Sequence, residues 1–270
     1  RRVLFRSGLA ASTGLASLRP SWTYAGWALM GAVFQILGTA LMLAAMRERS
    51  FVVSIAYVKT EPVQIALFGL VFLGERLSLQ ASAAVLVATA GVLLMSIPAG
   101  AAGRGMEGAS GDVPSTRLPG GGRVPRAALF GVLSGAMFAL SAVGFRGAIL
   151  ALGEGPFYLR ATATLATSLA MQTALLTGWL LWRDRAVLGE ILRLWRPSLL
   201  AGAAGALASQ LWFLAFSLQA AAAVRTVGLA EILFAQAVSH RLFAQGTTAR
   251  EAVGMAMMVG GVIWLLLAGP

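Results

Sequence analysis

The chain has no cysteine, one lysine (Lys59) and one histidine (His240) in 270 residues. Without cysteine there are no disulfides, no thiolate metal sites and no thiol chemistry. One histidine, and no acidic pair at metal-ligand spacing, leave too few groups for a catalytic or metal constellation, so neither an enzyme nor a cofactor is expected. Charge is scarce as well. Only 11% of residues are charged, against about a quarter in soluble domains, and the long polar helix faces of a soluble fold are missing. The net charge of +11 comes from arginines scattered between apolar runs. No basic face interleaved with aromatics is present, which excludes a nucleic-acid partner.

Apolar residues fill the space left by these absences: 58% of the chain is hydrophobic and mean hydropathy is +0.80. Runs of about twenty apolar residues recur, the length that crosses a bilayer core at a rise of about 1.5 Å per residue. The expectation is an all-α, polytopic membrane bundle whose solvent is the lipid bilayer. Eight spans are predicted, over residues 22–46, 50–73, 79–97, 126–150, 157–182, 197–219, 221–243 and 248–268. Trp22, Tyr24, Trp27, Trp179, Trp182 and Trp264 lie near run ends, where amphipathic rings favour the headgroup region. Residues 99–125 are rich in Gly, Pro and Ser and read as a linker outside the membrane. They separate residues 1–98, with three spans, from residues 126–270, with five. The arginine bias, with abundant Ala and Gly, points to a GC-rich bacterial genome and hence to the inner (plasma) membrane.

The two parts resemble each other. A shift of 170 residues places Glu61 on Glu231 and Gly91-Val92 on Gly261-Val262, and a shift of 166 places Val58-Lys59-Thr60 on Val224-Arg225-Thr226. The shifts differ by four residues, about one helical turn, so one inserted turn preserves the facing of both blocks. The pattern predicts a degenerate repeat of five-helix units, the first truncated by its first helix and most of its second. An odd number of helices per copy inverts one copy relative to the other. The stretch Ser7 to Leu18 is too short to span alone.

Ionisable groups inside spans cost on the order of 3 kcal/mol each on insertion scales, so each needs a partner or water. Lys59, Glu61, Arg225 and Glu231 are the clearest cases, and neither pair within one helix has the spacing that joins neighbours on one face. Crosswise pairing between the copies is therefore expected, Lys59 with Glu231 and Arg225 with Glu61. Helix breakers lie in the same stretches, Pro62 in one and Gly228 in the other, and interrupted helices at corresponding repeat positions point to a transporter binding site. Pro62 also frees the Val58 carbonyl one turn earlier. Tyr57 and Gln64 flank the charged stretch as further contacts to substrate. The four charges sum to zero, which suits a zwitterionic or modestly polar organic substrate, and either carboxylate could carry a coupling proton. The plainer alternative is a charge network that only holds the copies in register. His240 and Arg241 read as interfacial. Gln210, Trp212, Arg146 and Arg160 are weaker candidates, and the Gly131-to-Gly135 and Gly202-to-Gly205 spacings are packing signals.

The stretch from Lys59 to Ser96, KTEPVQIALFGLVFLGERLSLQASAAVLVATAGVLLMS, resembles the EamA-type half of drug/metabolite transporters. It has a proline in a hydrophobic span, then Leu73-Gly74-Glu75-Arg76-Leu77, then a small-residue helix ending in Gly-Val. Residues 224–266 are similar to the paired half but depart from it at Ala244-Gln245-Gly246, where the first copy has Gly-Glu-Arg. The resemblance implies two inverted five-helix repeats around a central cavity, and export or exchange of metabolites, amino acids or drugs; a homodimer is compatible with it. It also implies cytoplasmic termini, whereas counting arginines places the loops holding Arg47, Arg104, Arg126, Arg183, Arg193 and Arg250 in the cytoplasm. The orientation stays open between these two. The competing functional reading is a non-transporting membrane scaffold or assembly subunit.

Overall fold

The computed structural model describes residues 18, 20–48, 58–96, 126–234 and 248–268. The described residues are helical throughout their ordered elements, with no strand among them. The helices are α1 (Trp22–Glu48), α2 (Glu61–Phe68), α3 (Leu79–Ser96), α4 (Arg126–Ala151), α5 (Phe157–Arg183), α6 (Arg185–Arg193), α7 (Trp195–Leu218), α8 (Ala221–Gly228) and α9 (Ala249–Ala268). A π-helical turn, Gly69–Leu73, prolongs α2 and ends at Gly74, from which the Glu75 amide donates back to the Gly69 carbonyl at 3.1 Å.

Five of these helices are long and apolar enough to cross a membrane: Trp22–Arg47, Ala128–Ala151, Phe157–Arg183, Ser198–Leu218 and Ala249–Ala268. Leucines 199, 200, 207, 211 and 218 of α7 all lie open on the helix surface, a pattern that water penalises and lipid tolerates. The chain is thus a multi-helix membrane protein. Of the other three expected spans, α3 and α2 with its π turn are shorter apolar helices. The spans 50–73 and 221–243 run in part through residues outside the described set.

Two compact units make up the chain, one of residues 1–36 and 141–220, the other of residues 37–140 and 221–270. Each draws on both sides of the 99–125 linker, so the compact units and the sequence copies are different divisions of the chain.

In the first unit α5 packs on α7, and the Tyr24 hydroxyl donates to Thr167 Oγ1 at 2.8 Å. Thr164, Thr167 and Ser168 return their hydroxyls to carbonyls four residues back, at 2.8, 2.9 and 2.7 Å, which satisfies polar side chains in an apolar helix without a partner helix. Ser141 of α4 donates to the Gly31 carbonyl of α1 at 3.0 Å.

The second unit is built on the pair α3 and α9. Ala84, Ala88 and Gly91 face Gly254, Met258 and Gly261, and a methyl group added to Gly254 would meet the Gly91 carbonyl oxygen at 2.6 Å. Small side chains are what let two helix backbones approach so closely in lipid. Gly202 and Gly205 do not behave as their spacing suggested, because nothing among the described residues lies within 4 Å of a methyl placed on either. Their stretch of α7 is exposed, so small residues there admit no helix among the described residues.

Candidate functional site

The second unit holds Lys59, Glu61, Arg225 and Glu231. Just before α2, residues 59 and 60 form a turn, and the helix begins at Glu61 with Pro62 in its first turn. Proline fits there because its missing N–H would be unpaired at a helix start in any case. Between α8 and residues 231–234, residues 229 and 230 form the corresponding turn. The amides of Leu229, Ala230, Ile232 and Leu233 all bond three residues back, at 3.0–3.1 Å, which tightens the chain after Gly228. Each break is therefore two residues long and is followed directly by a glutamate, Glu61 in one and Glu231 in the other, 170 residues apart.

Across these breaks the charges pair crosswise. Lys59 Nζ donates to Glu231 Oε1. Arg225 Nε lies 3.2 Å from Glu61 Oε1, close enough for an ion pair but without hydrogen-bond alignment. The two pairs differ in surroundings: Glu61 is 7% exposed, whereas the side chain of Glu231 is 56% exposed. A buried carboxylate depends on its cation, while an open one can also be solvated.

Gln64 sits one turn along α2 from Thr60 and donates from Nε2 to the Thr60 hydroxyl at 3.1 Å. Its Oε1 is buried and receives no hydrogen bond. Gly135 of α4 lies against the same break. A methyl on it would stand 3.0 Å from the Val58 carbonyl oxygen, 3.4 Å from Thr60 Oγ1 and 3.6 Å from Gln64 Oε1. Pro62 cannot donate to that carbonyl, so three oxygens converge on one bare stretch of backbone. Such a set accepts hydrogen bonds, as from an ammonium, a hydroxyl or water.

Lys59, Glu61, Gln64, Arg225 and Glu231 thus gather at the paired breaks made by Pro62 and Gly228. Tyr57, His240 and Arg241 lie outside the described residues. The other candidates find partners within the first unit. Arg146 donates to the Phe216 carbonyl at the end of α7 at 2.5 Å, Arg160 to the Gly153 carbonyl at 3.1 Å, and Gln210 to the Thr162 hydroxyl at 3.0 Å. Trp212 stacks near Phe216, with ring centroids 6.1 Å apart. Thr60 and Gly135 are site residues that sequence reasoning passed over. The available signal for Thr60 was its match to Thr226 in the second copy.

No family profile matches the sequence, and no curated protein matches it. Fifteen solved chains do match. One, known only as "Crystal structure of protein", superposes with a TM-score of 0.57 at 18% identity, over 98% of this chain and 82% of its own. At that identity the likeness is one of fold.

Proposed function

We propose that the chain is a secondary membrane transporter of the EamA, drug/metabolite type, an exporter or exchanger of small organic metabolites, amino acids or drugs. In this reading the helices belong to two inverted five-helix repeats in a bacterial inner membrane, and the repeats rock about a central site to alternate access. The observation that carries the reading is the pair of matching helix breaks with their crosswise ion pairs. Broken helices expose backbone groups that must line a cavity or be buried in protein, and intramembrane charges mark substrate or proton paths. The site's net neutrality favours a zwitterionic or modestly polar substrate, with Glu61 or Glu231 as the proton carrier.

Proteoliposomes test this directly. Uptake and counterflow of amino acids, other metabolites and cationic drugs are measured under an imposed pH gradient, with Glu61→Gln and Glu231→Gln beside the unaltered chain. Saturable flux that either substitution lowers by about tenfold or more, a loss of at least 1.4 kcal/mol of coupling, is the expected result. Full flux in both variants removes these residues from the pathway. The exposure of Glu231 beside its lysine favours a second reading, a non-transporting scaffold whose charges face a partner chain. That reading gains if no substrate class moves under either gradient sign and the chain co-purifies with a fixed second subunit.

A further inference from the structure

We propose that α6 is an interfacial helix that seats the first unit on an anionic phospholipid surface. The inference rests on the membrane character of the chain and is independent of transport. Its first support is placement. One spanning helix ends at Arg183, and the next begins at Ser198. The fourteen residues between them hold α6, which starts one residue after α5 and is separated from α7 by Leu194 alone. A helix tied this closely at both ends to two spans cannot leave the bilayer surface.

Its second support is the division of its faces. At 100° per residue, Val187, Leu188 and Ile191 fall on one side, and Arg185, Gly189 and Arg193 on the other. Protein covers Val187 and Leu188 only in part, and leaves Ile191 48% exposed, Leu194 60% and Trp195 54%. Apolar surface left open beside two lipid-spanning helices continues into the acyl region, and the Trp182 ring, also exposed, belongs at headgroup depth. Asp184 fixes the helix start by accepting the Ala186 amide at 3.2 Å.

Charge selects the partner. Arg183, Arg185, Arg193 and Arg196 outnumber Asp184 and Glu190 over this segment. Arg185 Nε caps the Leu181 carbonyl of α5 at 2.8 Å, and the Arg196 guanidinium lies 5.4 Å from the centre of the Trp195 ring. These contacts fix two of the cationic side chains at the two ends of α6, and cations clustered beside an interfacial helix favour the phosphate groups of anionic lipids.

The cysteine-free chain allows a direct test in nanodiscs. Gly189→Cys and Ile191→Cys each carry a fluorophore, quenched by iodide from water or by brominated lipid from the membrane. The Ile191 label should be shielded from iodide and the Gly189 label open to it. Brominated phosphatidylglycerol should quench the Ile191 label at least about twofold more than brominated phosphatidylcholine at equal fraction, as local enrichment by cationic side chains requires. Combining Arg185→Gln, Arg193→Gln and Arg196→Gln should bring that ratio to one. Equal iodide access at both positions overturns the seating. A ratio of one in the chain with its arginines intact overturns the anionic partner, even if the triple variant fails to fold. Loss of the preference on adding inorganic phosphate would show a free-anion site in place of a lipid surface.

Discussion

Glu61 and Glu231 occupy matching places in the chain but not matching environments, and their substitutions should separate accordingly. Removing the cation beside the buried one leaves an uncompensated charge: Arg225→Gln should destabilise the protein by about 3–5 kcal/mol, the usual penalty for breaking a buried pair. Lys59→Gln should cost distinctly less, because the Glu231 side chain is 56% exposed and the proposed cavity would supply water. Unfolding of both variants in denaturant and detergent measures the difference, and equal losses would mean that Glu231 faces lipid or protein and not water. The crosswise pairing was legible in the sequence, because spacings of two and six residues exclude partners on the same helix face. The orphaned Gln64 Oε1 and the three oxygens against Gly135 were not, since they depend on which part of α4 meets the break, a contact across more than seventy residues.

Helix pairing makes its own prediction. Gly254→Ala should force α3 and α9 apart and cost about 1–3 kcal/mol, as overpacking does, because the Gly91 carbonyl already stands 2.6 Å from where the methyl would go. Gly202→Ala meets nothing within 4 Å and should instead stabilise α7 by up to about 1 kcal/mol through helix propensity. Thermal unfolding of the two variants side by side reads both signs. Glycine spacing alone could not rank these sites. The two residues look alike in sequence, and only the neighbouring helix distinguishes a seam from an open face. The breaks at residues 59–60 and 229–230 were better marked, because proline and glycine act on their own backbone and need no partner to do so.

For the molecule in its membrane, arginine counting places the α6 loop in the cytoplasm, so an impermeant maleimide should label Gly189→Cys only from that side. Labelling from outside alone would favour the opposite orientation implied by the EamA resemblance. The sequence by itself determined the solvent, the helical class, five of the eight spans it predicted, and the residues too costly to bury without partners. Those follow from local quantities, hydropathy and run length, because a bilayer requires every backbone group to be satisfied within its own segment. Only the tertiary structure decided how the chain divides into its two compact units, which glycines touch, and that one glutamate is buried while its counterpart lies open. These are contacts between residues far apart in the chain, set by shape and packing, and no local pattern encodes them.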